Sequence, residues 1–303
     1  MNIKQPLVVT VILNTNKRAD TLACLASLAQ NTYANHKIIV LDNASSDGSP
    51  EAIRSDYPDV QLIGLTQNLG YAGNNNVGIK AAQVQGADWV FVLNEDTTLA
   101  PNCIADLVAA GERDPKIGIV GPLVYHHNEP ELIQSAGGQM DRHLNIWHRG
   151  QNQKDTGQFA TTDTMEWISG CAILLRRQVI EQVGMLDERF FYYWEETEWC
   201  LRARKAGWRI VHVPTAKLWH KGVQRDYQPK PSVTYYSTRN RLLMLSKHRV
   251  SISTWAYSWG QIGRTLGSWT FKPRWREMRS HRDAMWRGAV DFVLQRWGKG
   301  RPA

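Results

Sequence analysis

The sequence has no run of 18 apolar residues, which leaves no candidate for a membrane-spanning helix. A secretory leader is not expected either, because Met1–Pro6 runs straight into a strand-like stretch. Cysteine is scarce. The four thiols in 303 residues, Cys24, Cys103, Cys171 and Cys200, lie far apart and form no CxxC. Each has apolar or helical neighbours, so buried thiols in a reducing compartment are expected rather than a disulfide framework. A Walker A sequence is missing, and so is GxGxxG after the first strand, where Asn14-Thr15-Asn16-Lys17 stands instead. Gly70, Gly73 and Gly78 follow the third strand at a different spacing. These absences count against a P-loop ATPase and a dinucleotide-dependent dehydrogenase.

The apolar fraction, 43%, is that of a globular protein. Charge is unevenly placed. From Thr238 to Ala303 there are 14 Lys or Arg against 3 Asp or Glu, a balance of +11 within a total of +8. Residues 1–237 therefore carry about −3, and six of the 13 tryptophans lie beyond Val250. A basic, Trp-rich tail suits nucleic acid or an anionic membrane surface.

Periodicity predicts alternating strands and helices over the first 125 residues. Leu7–Leu13, Lys37–Leu41, Val60–Leu65, Ala87–Leu93 and a run from Ile117 read as strands. Ala19–Gln30, Ser49–Ser55, Gly73–Gln83 and Pro101–Gly111 read as the helices between them. This pattern predicts a mostly parallel sheet with helices on both faces. Tyr125–Glu166 is polar and weakly periodic. Beyond it come a strand at Trp167–Leu175 interrupted by Ser169-Gly170, a helix at Glu195–Ala206, a strand at Trp208–Val213 and a helix at Val233–Ser246. Two further helices are expected at Ile252–Leu266 and His281–Trp297. The expected division is a catalytic domain at 1–245, with halves 1–125 and 126–245, and a helical extension at 246–303.

Ligands of open α/β sheets collect beyond the carboxyl ends of the strands. Asp42 and Asn94-Glu95-Asp96 occupy such positions, and two readings apply to each acidic group. It caps a turn or helix, or it serves phosphate chemistry, in which a divalent cation neutralises a diphosphate leaving group. Asp96 suits the cation; Asp42 suits a ribose or base.

Phe190-Phe191-Tyr192-Tyr193-Trp194-Glu195-Glu196-Thr197-Glu198-Trp199-Cys200 is the most informative segment. On a helical wheel Glu196 shares the apolar arc of Trp199, Cys200 and Ala203, whereas Glu198 pairs with Arg202 on the expected solvent face. A carboxylate on an apolar first turn is buried with a partner or placed to act. Partial burial would raise its pKa toward that of a general base, opposed by the helix N-terminus. Gly170 within an apolar strand suggests close backbone approach, and the five aromatics suit either a sugar platform or core packing.

From about Val8 to Arg241 the chain resembles the family 2 glycosyltransferases, in the branch of bacterial rhamnosyltransferases of cell-surface polysaccharide assembly. The matching segments are Val40 to Ser49, Gln67 to Gly78, Leu93-Asn94-Glu95-Asp96-Thr97, Ser169-Gly170, Glu195-Glu196, His220 and Arg239-Asn240. The resemblance implies an inverting enzyme of the GT-A fold using Mg2+ or Mn2+. It makes Glu196 the base and assigns Asp96, with His220 assisting, to the metal. Thr15, Asp42, Asn68, Gly73, Asn74, Asn94, Glu95, Asp96, Gly170 and Arg239 would bind a nucleoside-diphosphate sugar, for which dTDP-rhamnose is the choice. His220 also has a purely structural reading, after strand 208–213.

Three departures bear on this. Glu95 replaces the usual proline of Asn-Pro-Asp, leaving open which carboxylate coordinates. The base position is commonly Asp, and the longer Glu196 needs a slightly more distant backbone to keep about 3 Å to the hydroxyl. Asn74 stands where glycine is frequent, and asparagine tolerates left-handed geometry.

The expected acceptor is a glycan or a polyprenyl-diphosphate-linked sugar. The expected location is the cytoplasm, at the inner membrane face, with residues 251–303 as a peripheral membrane contact or packed on the body. No nucleic-acid partner is expected, since an acidic cleft without metals repels a polyanion. A non-catalytic nucleotide-sugar sensor would carry the same binding residues.

Overall fold

The structure is a computed structural model, describing residues 5–222 and 224–300. Met1–Lys4 of the amino-terminal lead-in and Arg301–Ala303 of the basic tail lie outside the described residues.

The first half follows the predicted alternation: β1 (Val8–Asn14), α1 (Arg18–Ala29), β2 (His36–Asp42), α2 (Ser49–Asp56), β3 (Gln61–Gly64), α3 (Gly70–Val84) and β4 (Trp89–Asn94). After these come β5 (Thr97–Leu99), α4 (Cys103–Glu112) and β6 (Ile117–His126). The polar stretch holds four short strands, β7 (Ile133–Ser135), β8 (Gly138–Met140), β9 (Ile146–His148) and β10 (Asp163–Thr164). Then follow β11 (Ala172–Arg176), α5 (Arg177–Val183), α6 (Glu195–Lys205), β12 (Arg209–His220), α7 (Pro231–Lys247), α8 (Ile252–Phe271) and α9 (Arg279–Val293).

Strands run β10-β12-β6-β11-β4-β1-β2-β3 across the central sheet. β3, β2, β1 and β4 are parallel, as are β6 and β12, while β11 enters antiparallel between β4 and β6. Helices cover both faces, so β4 and, apart from the half-buried Leu13, β1 are buried along their apolar runs. One face packs Cys24, Leu25 and Ile104 on Phe91 and Leu93. The other packs Ile79, Ala82 and Trp199 on Val9, Val11 and Val90.

Several expectations change. β12 extends seven residues past the predicted Val213, through a register shift between Val213 and Lys217, so His220 closes the strand instead of following it. Pro214 misleads, since proline is tolerated at such an irregularity. Ser169-Gly170 lies in a turn before β11, not inside a strand. Asn74 is helical, within α3; the left-handed residue is Gly70, φ +75°. In α9 the buried residues are Ala284, Gly288 and Ala289, while Trp286 and Val293 are 60% and 63% exposed. Gly288 explains the face: a Cβ there would stand 2.6 Å from the Tyr235 carbonyl of α7.

Candidate functional site

A cleft of about 510 Å³ opens where β1, β4 and β12 end. It brings together Thr15, Asn68, Asn74, Asn94, Glu95, Asp96, Gly170, Glu196 and His220. Gly73 lies outside the lining, its α-carbon against Leu69. Asp42 also lies behind it, accepting hydrogen bonds from Asn14 Nδ2 at 2.8 Å and the Ser45 backbone N–H at 3.1 Å. Its neighbours Thr15 and Asn43 do line the cleft and are joined by a 3.2 Å bond from Asn43 Nδ2.

At the end of β12, His220 Nε2 stands 3.1 Å from Asp96 Oδ1. Its Nδ1 lies 2.7 Å from Gln134 Oε1, which can only accept, so Nδ1 carries the proton. In the neutral ring Nε2 is then a lone pair, 3.4 Å from Asn94 Nδ2 and facing a carboxylate, an arrangement completed by a proton or a cation. Gly222 leaves room for one. A Cβ there would stand 2.7 Å from His220 Nε2 and 3.1 Å from Asp96 Oδ2. Among the described residues no group of three or more His, Cys, Asp or Glu could hold a metal. A cation here would take two protein ligands and draw the rest from phosphate and water, which is ordinary for magnesium.

The neighbouring carboxyls separate. Burial works to raise Asp96, but the hydrogen bond and charge of His220 outweigh it and hold the group below its ordinary value. Burial, then the charge of Asp96, pushes Glu95 up to about 7. Asp96 is thus the more anionic of the two.

On another wall, Glu196 sits in the first turn of α6, partly exposed to the cleft. Burial raises its pKa, opposed by the backbone N–H groups of Glu196, Thr197 and Gly170. Gly170 packs beside it: a Cβ there would meet Tyr71 Oη at 3.2 Å and Glu196 Cγ at 3.4 Å. Tyr71 donates to the Gly170 carbonyl at 2.5 Å, tying α3 to this turn. Glu195, 3% exposed, lines the same cleft; burial, then the charge of Glu196, pushes it well above the carboxylate range. The buried Cys171 thiol lies between the two walls and feels both Asp96 and Glu196.

Glu198 corrects the helical wheel. It does pair with Arg202 at 2.9 Å, but it is fully buried, because the end of α7 lays Lys247 over it at 2.9 Å and His248 follows at 3.3 Å. Arg239 is corrected too. It is fully buried outside this cleft, donating to the carbonyls of Arg189, Phe190 and Gly298 at 3.3, 3.1 and 2.9 Å. Next to it, Asn240 Nδ2 lies within 2.9 Å of the carbonyls of Phe190, Tyr192 and Tyr193. These bonds hold an unusual backbone: Phe191, Tyr193 and Trp194 all have positive φ, which is costly for aromatic residues. The aromatic run is thereby divided, with Phe190 in the core and Phe191, Tyr192 and Tyr193 in the cleft. Gly70 permits the approach of α3, since a Cβ there would fall 2.2 Å from the Phe191 carbonyl.

Sequence reasoning missed Gln134, Gly222, Tyr71 and Lys17. Lys17 lines the cleft and stood in the segment after β1, where a cation near a phosphate site was a usable signal.

Comparison with known proteins places the chain in a family and a fold. Residues 8–184 match the family described as Glycosyl transferase family 2. The chain is 31% identical over 248 residues to an N-acetylglucosaminyl-diphospho-decaprenol L-rhamnosyltransferase of Mycobacterium tuberculosis, covering 74% of this chain and 79% of that protein. It is 26% identical over 234 residues to the dTDP-rhamnosyl transferase RfbF of Shigella flexneri, covering 74% of each. Among solved structures, the mannosyltransferase PcManGT from Pyrobaculum calidifontis, in complex with GDP-Man and Mn2+, superposes with a TM-score of 0.60 at 14% identity. That match covers 97% of this chain and 89% of the other. A structure of GalNAc-T7 with UDP, GalNAc and Mn2+ gives 0.68 at 16% identity, over 98% of this chain and 59% of that one. The chain is a glycosyltransferase of the GT-A fold and belongs to glycosyl transferase family 2.

Proposed function

We propose that the protein is an inverting rhamnosyltransferase that moves rhamnose from dTDP-rhamnose to a hydroxyl of a polyprenyl-diphosphate-linked glycan. The observation that carries this reading is one cleft holding both the Asp96–His220 pair and a carboxylate raised toward the range of a general base, Glu196. The names of the Shigella and Mycobacterium relatives support the donor and the class of acceptor.

Asp96 and His220 are the residues that would hold Mg2+ or Mn2+, with Glu95, pushed up to about 7, beside them. Such a cation, when bound, neutralises charge on the departing diphosphate. Thr15 and Asn43 bound the nucleoside end of the cleft, with Asp42 behind them bonded to Asn14 and Ser45, and Asn68 and Asn74 line its middle. Glu196 takes the proton of the acceptor hydroxyl as its oxygen bonds to the anomeric carbon and the bond to the diphosphate oxygen breaks. One displacement inverts the configuration. It needs a single base rather than the carboxyl pair of a glycoside hydrolase.

Trp and Arg interleave along 251–303, and Ile252 and Phe271 are 87% and 82% exposed. This supports attachment of the extension to the cytoplasmic membrane face, where a lipid-linked acceptor is presented.

The test is turnover with a panel of nucleotide sugars and a polyprenyl-diphosphate acceptor. Release of dTDP only when the acceptor is present supports the proposal. Equal release without acceptor, or turnover confined to uridine diphosphate hexoses, would overturn it.

A further inference from the structure

A second hollow, of about 590 Å³, lies between α7, α9 and residues 296–300, separate from the catalytic cleft. Its inner wall includes Arg239, whose charge meets carbonyls, Asn240, the Tyr235 hydroxyl and the rings of Tyr235 and Tyr236; among the described residues no carboxylate pairs with it. Asp291 is the acidic group of the lining. It already accepts the Tyr235 hydroxyl at 2.6 Å and has Arg296 at 3.7 Å. Arg287 and Lys299 stand at the rim, exposed and without an ion-pair partner among the described residues. Two unpaired cations thus stand at the rim of a hollow whose carboxylate is engaged, with Arg296 beside that carboxylate and Arg239 buried behind.

The rim is also apolar in a directed way. Trp286, Val290, Val293 and Leu294 follow helical spacing along α9, and Trp286, Val293 and Leu294 are 60%, 63% and 52% exposed. A pocket for a soluble anion has no need of such an apron beside it. A lipid phosphate, attached to acyl chains, does.

We propose that this hollow seats the phosphate of an anionic membrane lipid, with the apolar edge of α9 entering the acyl layer beside it. The proposal rests on the membrane-face reading above and gives it a defined headgroup site. The hollow and the catalytic cleft share one wall segment, because Arg239 holds the carbonyls of Arg189 and Phe190 while Phe191 faces the cleft.

The test uses the full chain with vesicles of phosphatidylcholine, alone and mixed with phosphatidylglycerol. Arg287→Glu with Lys299→Glu reverses the rim of the hollow. Arg264→Glu with Lys272→Glu makes the same formal change on exposed residues of the extension outside it. The rim pair is expected to lower partitioning onto phosphatidylglycerol vesicles about tenfold or more, and the matched pair about threefold or less. Unchanged thermal midpoints and nucleoside-diphosphate stabilisation establish that both variants are folded. Equal losses in the two pairs, or no loss in the rim pair, would overturn the headgroup site while leaving membrane attachment standing. A wild-type chain that ignores phosphatidylglycerol would remove attachment itself, without touching the cleft assignments. Inorganic pyrophosphate supplies the soluble arm: stabilisation that the rim pair abolishes while vesicle binding persists would make this a soluble-anion site and overturn the lipid assignment.

Discussion

His220 Nε2 and Asp96 Oδ1 face each other at 3.1 Å although 124 positions separate them in the chain, and Gln134 fixes the tautomer that turns the histidine lone pair toward the carboxylate. In a neutral ring two acceptors would face each other at that distance, so a proton on Nε2 or a cation joins them. Asp96→Asn should therefore abolish the additional stabilisation that Mn2+ gives to the dTDP complex. Gln134→Leu, which releases the ring, should weaken it by about 10–100-fold. Thermal midpoints recorded against Mn2+ at fixed dTDP measure both. Identical titrations for Asp96→Asn and the wild type would remove the metal from this pair.

Glu196→Gln should lower kcat by on the order of 10²–10⁴ while dTDP stabilises the variant as it does the wild type. The pH dependence follows from the raised carboxyl. A base works ionised, so turnover falls as pH drops through its pKa, and the acidic limb should lie above the ordinary 4.5. A variant that keeps wild-type turnover refutes the role of Glu196.

Asn240 holds three carbonyls of a left-handed aromatic turn. Asn240→Ala should cost about 2–4 kcal/mol, because buried acceptors lose their donor. Asn240→Asp should be at least as damaging, since it sets further oxygens against the same carbonyls. Urea unfolding compares the two, and a midpoint unmoved in both would show that the turn does not depend on these bonds.

Glu198 predicts acid sensitivity. Burial works to raise its carboxyl, but His248, Arg202 and Lys247 outweigh it and hold the folded-state pKa below the unfolded one. Its contribution is present above the unfolded value and is lost as pH falls through the folded value. The wild-type Tm should therefore drop more steeply below about pH 5 than that of Glu198→Gln, which starts lower at neutral pH. Parallel curves would mean that the buried network carries no such linkage.

The strand and helix order through β6, apart from the short β5, was legible because period and punctuation are local properties, and the end of the fourth predicted strand marked Asn94-Glu95-Asp96 without tertiary knowledge. The place of Glu196 on an apolar first turn was legible for the same reason, being set by Trp199, Cys200 and Ala203 within the same helix. The burial of Glu198 was not, because a helical wheel describes one helix and cannot know that the end of α7 covers its outer side. Arg239 was misplaced on the same account, as only packing decides whether a cation meets a phosphate or a row of carbonyls. Gln134 reaches His220 through β7, β6 and β12, strands whose pairing links distant segments and leaves no periodic trace in any one of them. Local sequence determined the elements and the acidic groups at their ends. Tertiary structure decided which carboxylates share a cleft, because burial and charge, and hence pKa, belong to the assembled neighbourhood and not to the residue.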